Sequence, residues 1–458
     1  MTASNLQNLD QDSVVSQLKT LQRQASSLLL YQAVLADDMG QSLLHLLDSL
    51  LEALQCPESS LACLKAYGAW FQTQAQYQQS GSEHLLNQLL NTENPFTQQA
   101  QKTEFKLLPT ALVTAAQSDL QALQQLYSCR PEQLSQWVQL ATSLSNPPVA
   151  WLSQVSPGTE ALQGQGLQSQ ASQIQALLMS LDNWSEAVEP LADHYYKFGA
   201  GGFACMMAFR WQRGELLPVG HPDPVNLEQL VGYEFQRDLL IKNTEFLLEG
   251  FPAQNVLLYG SRGSGKSSLV KALLNHYSHR GLRLIEVAKS DLHDLPLVIE
   301  QLRGTPQKFI IFVDDLSFEE DDDIFKALKV VLEGNITARP QNVVVYATSN
   351  RRHLVREFFE DRPRPSDQDE IHTWDTVQEK LSFSDRFGLT LTFEPADQNT
   401  YLQIVRHLAQ QAALTLSSED LEFQALQWAT RHNGRSGRTA RQFIDFLTAE
   451  QALGKLKG

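Results

Sequence analysis

Cysteine is scarce in this chain, with four among 458 residues, at Cys56, Cys63, Cys129 and Cys205. No two of them form a C-x-x-C pair, and no histidine cluster accompanies them at the spacing of a zinc site. The sequence therefore shows no zinc site and favours free thiols in a reducing compartment over a disulfide framework.

Long hydrophobic runs are also missing. The longest, Phe203–Phe209, is far too short to cross a bilayer, and Met1–Asn5 shows no basic region followed by an apolar core. We therefore expect a cytoplasmic protein without a membrane partner.

An excess of positive charge is absent as well, because the net charge is −16. This acidity argues against a general binder of nucleic acid or anionic membranes, although a local basic surface could still exist. The content of 42% hydrophobic and 19% charged residues is typical of a folded protein, and the length suffices for two or three domains.

Residues 1–195 are rich in Gln, Leu, Ala and Ser, and their apolar residues recur at helical spacing. One stripe runs through Gln41–Gln55, on Leu43, Leu44, Leu47, Leu50, Leu51 and Leu54. A second helix opens at Pro131, with Leu134, Trp137, Val138, Ala141 and Leu144 facing inward, and a third uses Ile174, Leu177, Leu178 and Leu181. Loops are expected at Asn91–Thr97 and Gly158–Gln170. We predict a helical bundle that is a candidate partner-binding region.

Residues 196–225 differ in character, because Phe198–Phe203 contains a glycine cluster. Glycines can form a second nucleotide loop, but no helix with a Lys-Ser start follows these. We therefore expect a junction between domains here.

The segment Gly260–Ser267 fits the phosphate-loop pattern G-x-x-x-x-G-K-[ST]. A strand-like run precedes it and a helical pattern follows it, so a chance match is disfavoured. The backbone of this loop should bind phosphate, with Lys266 reaching the β- and γ-phosphates and the Ser267 hydroxyl ligating Mg²⁺. The predicted cofactor-binding residues of the loop are Gly260, Ser261, Arg262, Gly263, Ser264, Gly265, Lys266, Ser267 and Ser268.

Two later strand-like runs end in polar residues. Lys308–Asp315 delivers two carboxylates, of which Asp314 is predicted to hold Mg²⁺ and Asp315 to orient or deprotonate the attacking water. Asn342–Asn350 places Asn350 beside them, where it can contact the γ-phosphate and the water. Polar strand ends beside turns are the alternative for each. The acidic run 319–323 is expected to be a solvated helix start.

These motifs together resemble the AAA+ ATPases. Leu230–Glu234, with Val231 and Gly232, looks like the segment that covers the adenine, and Asn350 looks like sensor 1. Ser384–Gly388 resembles the segment that carries an arginine finger, here Arg386. Asn433–Arg441 resembles the start of the sensor 2 helix, with Arg438 the matching arginine. The sequence around these motifs is similar to that of bacterial ATP-binding proteins grouped as domain of unknown function 815.

The resemblance implies an α/β class, with an AAA+ type phosphate-loop parallel sheet of five strands in residues 226–395 and a helical lid in residues 396–458. The mainly α-helical region would precede both. Lid helices are expected at Asn399–Ala413, Ser418–His432 and Gly437–Leu453. The proline-rich insert 362–370 is expected to be a surface loop.

The chain departs from the AAA+ pattern at Asp315, where AAA+ proteins usually have glutamate. The shorter side chain bears on the expected rate of ATP hydrolysis. Glu319 or Glu320 could substitute for it. The sequence thus favours a Mg²⁺-dependent ATPase that forms homo-oligomers, shares its sites between subunits and acts on a protein partner. The alternatives are a slowly hydrolysing switch or assembly scaffold, and a small-molecule kinase.

Overall fold

The computed structural model describes residues 10–152, 165–316, 328, 332, 340–350, 386–432 and 434–456. The chain divides into two compact units, Met1–Cys205 and Met206–Gly458. Some predicted features lie outside the described residues, namely the acidic run 319–323, the insert 362–370, Ser384, Asp385 and Asn433.

The first unit is helical, as its leucine periodicity predicts. Its helices are α1 (Gln11–Ser26), α2 (Asp38–Gln55), α3 (Ser60–Tyr77), α4 (Gly81–Asn91), α5 (Pro95–Ala100), α6 (Thr110–Tyr127), α7 (Pro131–Thr142), α8 (Gln165–Ser180), α9 (Val188–Phe198) and α10 (Gly202–Cys205). Asp37 caps α2 by accepting the N–H of Gly40, and Pro131 opens α7 at a position that needs no donor. The leucines of α2 enter one continuous apolar core that most of these helices share.

Three boundaries in this unit differ from the sequence predictions. Helix α5 begins at Pro95, so the last part of the predicted loop Asn91–Thr97 is helical. Helix α7 ends at Thr142 because Ser143 adopts a left-handed conformation with φ 54°. Leu144 consequently turns outward and is 37% exposed, although its spacing predicted an inward position. Helix α8 begins at Gln165, so the last part of the predicted loop Gly158–Gln170 is helical.

A buried carboxylate organises the turn between α1 and α2. Asp119, on α6, is 1% exposed and accepts the backbone N–H groups of Leu29, Leu30 and Tyr31. Backbone donors in a turn of this kind need a partner once they leave water. Asp119 supplies it, which fixes the connection between the two helices.

The second unit contains, within the described residues, one sheet of seven strands in the order β2-β1-β4-β5-β6-β3-β7. The strands are β1 (Ala208–Gln212), β2 (Glu215–Pro218), β3 (Val256–Gly260), β4 (Leu282–Val287), β5 (Lys308–Val313), β6 (Val343–Ser349) and β7 (Leu389–Phe393). Neighbours pair in parallel, except that β2 runs antiparallel to β1 at the edge. The inner strands are apolar nearly throughout, as expected where both faces are covered.

The hairpin β1–β2 enlarges the sheet beyond the five strands that the resemblance implies. Its residues lie within the stretch 196–225, for which the sequence predicts a junction. Phe209 pairs in parallel with Ile285 of β4, and the Arg210 guanidinium donates to the Glu286 carboxylate. The indole of Trp211 donates to Asp294 at 2.9 Å. These contacts make the hairpin part of the sheet.

The helices of the second unit lie on the sheet or form the lid. They are α11 (Glu234–Leu248), α12 (Lys266–Tyr277), α13 (Leu295–Leu302), and then α14 (Gln398–Gln411), α15 (Ser418–Arg431) and α16 (Gly437–Leu456). The last three have an apolar core of their own, built around Tyr401, Ala425 and Phe443. The α/β class, with a phosphate-loop sheet, a helical lid and a helical N-terminal region, is confirmed.

None of the helices in the described part of the chain has the length and apolar composition that crossing a bilayer requires.

Candidate nucleotide-binding site

The candidate site lies at the carboxyl ends of β3, β5 and β6. The connection after β3 leads to β4 on one side of β3, and the chain after β6 reaches β7 on its other side. The connections that leave the adjacent strands β3 and β6 thus run in opposite directions along the sheet. Ligands of open α/β sheets bind at such a switch point, outside the carboxyl ends of the strands.

The phosphate loop joins β3 to α12 as a strand-to-helix turn, as the sequence predicts. Gly265, at φ 89°, immediately precedes the helix, and Gly263, at φ 76°, stands at the tip of the loop. A Cβ on Gly263 would lie 2.9 Å from the Ser436 hydroxyl oxygen. Both positions therefore favour glycine, which adopts positive φ at little cost and permits the close approach. The first N–H groups of α12 point out of the helix and form an anion-binding end.

Lys266 is the first residue of α12 and is 7% exposed. Its ammonium donates to the carbonyl oxygens of Gly260 at 3.0 Å and Ser261 at 2.8 Å, and lies 3.4 Å from Oδ1 of Asn350. Burial lowers the pKa of Lys266 below its ordinary value, while Asp314 and Asp315 oppose that shift. The ammonium is thus held between the loop and the end of β6.

Asp314 follows β5 and meets the hydroxyl that the sequence predicts as its partner in metal binding. Oγ of Ser267 donates to Oδ1 of Asp314 at 2.7 Å. The hydroxyl of Thr348, from β6, donates to the same oxygen. A carboxylate and a hydroxyl side by side are the oxygen donors that Mg²⁺ uses in phosphate-binding sites.

Asp315 adopts a left-handed backbone conformation with φ 52°. Its N–H donates to Oγ1 of Thr348 at 2.9 Å, and Nδ2 of Asn350 donates to its Oδ1 at 2.6 Å. The structure thus brings together Lys266, Asp315 and Asn350, with the Asn350 amide between the other two.

A cavity of about 620 Å³ opens over these residues. Among the described residues that line it are five cationic side chains, Arg237, Arg262, Lys266, Arg438 and Arg441, against the two carboxylates of Asp314 and Asp315. A concentration of positive charge in a chain of net charge −16 focuses anionic ligands into this cavity.

The other end of the cavity is apolar and aromatic. Its lining includes Leu230, Val231, Phe393, Ile404 and Leu408. The Tyr233 ring lies 5.1 Å from that of Phe393, and its hydroxyl donates to the carbonyl of Glu394 at 2.7 Å. A planar, largely apolar group such as a purine base fits a compartment of this composition.

The predicted adenine segment connects this compartment to the lid. Val231 lines the cavity and packs against the lid core. Gly232 has φ 93°, and a Cβ there would lie 2.7 Å from the Thr400 methyl group on α14. The N–H of Gly232 donates to the Glu234 carboxylate at 2.8 Å.

The lid helix α16 begins directly at the phosphate loop. The N–H of Arg438 donates to the Gly263 carbonyl at 3.2 Å, and a Cβ on Gly437 would lie 3.1 Å from that same oxygen. The side chain of Arg438 lines the cavity, where the resemblance to sensor 2 implies it. Arg441, one turn later, lines it too.

Arg386 lies away from the cavity of its own chain. It precedes β7, whose carboxyl end at Phe393 pairs with Gly260. Arg386 therefore stands beyond the opposite end of this five-residue strand, roughly 16 Å of strand length from the phosphate loop. It is absent from the described residues that line the cavity.

Sequence reasoning did not single out Thr348, Arg237 or Arg441. Thr348 stands two residues before Asn350 and so faces the same side of the sheet, which is a usable signal in retrospect. Arg441 follows Arg438 by three residues on one helix face. Arg237 carries no local signal, because α11 is placed on the cavity only by its tertiary packing.

The residues present fit ATP with Mg²⁺. Gly263 and Gly265 adopt the positive φ that turns the loop into α12, and the Ser267–Asp314 pair supplies oxygen donors of the right kind. These two features are the ones that a phosphate-bound magnesium ion requires.

The family model described as Protein of unknown function (DUF815) matches residues 204–451, more than half of the chain. The chain belongs to this family. A search of the curated proteins found no match to the DUF815 chain.

Solved structures with a similar arrangement include RuvB of Thermotoga maritima. A RuvB mutant is 16% identical, with 50% of the DUF815 chain and 68% of the RuvB chain covered and a TM-score of 0.35. RuvB described as a Holliday junction branch migration motor is 14% identical, with 49% and 72% covered and a TM-score of 0.30. The assignment of fold to the DUF815 chain rests on its own sheet order, phosphate loop and lid.

Proposed function

We propose that this chain binds ATP with Mg²⁺ and hydrolyses it to ADP and phosphate, and that the nucleotide state changes how a protein partner is held. The observation that carries the proposal is the convergence on one cavity of Lys266, the Ser267–Asp314 pair and the Asp315–Asn350 pair. Cationic, metal-binding and water-orienting groups are the three kinds that phosphoryl transfer to water needs.

Each part of ATP has a matching part of the cavity. The end lined by Val231, Tyr233 and Phe393 takes the base, and the N-terminus of α12 with Lys266 takes the β- and γ-phosphates. Arg438, on the lid, lines the same cavity, and its N–H donates to the Gly263 carbonyl of the phosphate loop. Helix α16 therefore couples a bound nucleotide to the position of the lid in this proposal.

Mg²⁺, when bound, neutralises charge on the β- and γ-phosphates. Ser267 and Asp314 are the residues that would hold it, since their oxygens already adjoin. Asp315 orients the attacking water or accepts its proton, and Asn350 fixes the Asp315 carboxylate through a hydrogen bond of 2.6 Å. As an uncharged amide, Asn350 can also contact the γ-phosphate.

Arg386 acts on a neighbouring subunit's nucleotide in this proposal. Its place at the amino end of β7 keeps it from its own chain's phosphate loop, whereas a guanidinium that reaches the γ-phosphate stabilises the transferring phosphoryl group. A homo-oligomer with shared sites follows. The helical unit of residues 1–205 is our candidate for the partner-binding part.

Two other functions use the same loop. A switch or assembly scaffold would bind ATP as described but hydrolyse it slowly. The short side chain of Asp315 is the feature that favours slow hydrolysis. A small-molecule kinase is the weaker alternative, because the combination of Asn350, Arg386 and Arg438 has no reason to occur in a monomeric kinase.

The test compares Asp314→Asn with Asp315→Asn. We expect Asp314→Asn to lose Mg²⁺-dependent turnover because the metal loses its carboxylate, and Asp315→Asn to keep ATP affinity and lose hydrolysis because the water loses its base. Nucleotide affinity and phosphate release are measured on both, with the off-site Asp291→Asn as control. An Asp315→Asn protein as active as the parent would move the role to Glu319 or Glu320.

A further inference from the structure

Thr348 connects the two aspartates of the site through one hydroxyl group. It donates a hydrogen bond to Oδ1 of Asp314 and accepts one from the N–H of Asp315 at 2.9 Å. Its own carbonyl accepts the N–H of Leu316 at 2.7 Å. Thr348 is 3% exposed, so its hydroxyl is largely shielded from solvent and depends on these two partners.

Asp315 stands in a backbone conformation that aspartate adopts more readily than glutamate. At φ 52° the Cβ lies close to the backbone, and aspartate and asparagine tolerate this region better than longer side chains. The short side chain also brings Oδ1 to 2.6 Å from Nδ2 of Asn350. An added methylene would carry the carboxylate past that amide.

We propose that Thr348 is a positioning residue that holds Asp314 and Asp315 in one fixed arrangement, and that the left-handed backbone at position 315 selects aspartate over glutamate. The inference rests on the proposed function, which assigns the two aspartates to metal and water. This geometry therefore favours aspartate at position 315, and we expect a glutamate there to lower activity.

The first experiment separates a positioning role of Thr348 from a merely structural one. Thr348→Val keeps the shape and removes the hydroxyl, whereas Thr348→Ser keeps the hydroxyl. ATP affinity is measured for both variants and the parent, with Mg²⁺ and with a chelator. The quantity compared is the factor by which Mg²⁺ raises the ATP affinity of each protein. We expect this factor to be about tenfold smaller for Thr348→Val than for the parent, because residues that orient a metal ligand contribute on that scale.

In the same titrations Thr348→Ser should keep the gain that Mg²⁺ gives the parent. A general loss of packing would lower affinity equally with and without Mg²⁺. A Thr348→Val protein with the parent's full gain from Mg²⁺ would overturn the positioning role.

The second experiment tests position 315 and needs no nucleotide for its main readout. Asparagine in Asp315→Asn adopts the left-handed region more readily than glutamate in Asp315→Glu does. We expect the melting midpoint of Asp315→Glu to lie about 2 °C below that of Asp315→Asn. Where the parent hydrolyses ATP, Asp315→Glu should be slower than the parent.

The two measurements distinguish a failure of this inference from a failure of the proposed function. A parent that binds no ATP would defeat the proposed function, yet the melting comparison would still decide the claim about position 315. An Asp315→Glu protein that melts with Asp315→Asn, or that hydrolyses ATP faster than the parent, would overturn that claim in a working ATPase.

Discussion

Replacing Lys266 with alanine tests the phosphate loop at its most buried charge. The ammonium donates to the Gly260 and Ser261 carbonyls at 3.0 and 2.8 Å, and the side chain is 7% exposed. A hydrogen bond to a charged group is worth about 1.5–3 kcal/mol, so losing one to a phosphate should weaken ATP binding about 10- to 150-fold. Turnover should be lost with it.

The effect of Lys266→Ala on stability should be small, because two contributions oppose each other. The variant loses the donor for two carbonyl oxygens, but it also removes an ammonium whose burial is unfavourable enough to lower its pKa. We therefore expect the melting midpoint to stay within a few degrees of the parent, so weakened binding would reflect the site and not the fold.

The assay is a calorimetric titration with ATP and Mg²⁺, and α12 offers a matched control. Lys271, on the same helix, has a side chain that is 39% exposed and lies 3.5 Å from the Asp223 carboxylate. Lys271→Ala should bind ATP like the parent. A Lys266→Ala protein whose affinity is within twofold of the parent's would refute the assignment of the loop.

Two further predictions concern pH and the neighbouring subunit. Because burial lowers the pKa of Lys266, the ammonium loses its proton at a lower pH than an ordinary lysine, and ATP affinity should fall as pH rises toward 10.5. The affinity of Lys266→Arg should vary less over that range, and equal slopes for the two proteins in titrations across it would contradict the assignment. Arg386→Ala should bind ATP normally and hydrolyse it roughly 10³- to 10⁵-fold more slowly, and mixing it with Lys266→Ala should restore part of the activity. No rescue, together with a monomeric mass in saturating ATP and Mg²⁺, would contradict sharing of sites.

The local parts of the fold could be predicted because their signals are local. Strands β5 and β6 lie within the predicted runs Lys308–Asp315 and Asn342–Asn350, and the lid helices begin and end within a few residues of the prediction. The hairpin β1–β2 was not predicted as part of the sheet, because pairing of Phe209 with Ile285 joins residues far apart in sequence. A short extended pair has the same local pattern whether it extends a sheet or lies on a surface.

The site could be predicted as a set of residue types, but its connections could not. The phosphate-loop pattern locates Lys266 and Ser267, and apolar runs ending in acids locate Asp314 and Asp315. The hydroxyl of Thr348 and the backbone of Asp315 depend on how β5 and β6 align, with Val313 opposite Ala347. No local spacing specifies that register.

The most direct test of the account is to measure the products that the full chain forms from ATP. With Mg²⁺ present we expect ADP and inorganic phosphate in equal amounts, and with a chelator present we expect neither. Inorganic phosphate formed equally well without Mg²⁺, or ADP formed without inorganic phosphate, would contradict the proposal that this cavity hydrolyses ATP.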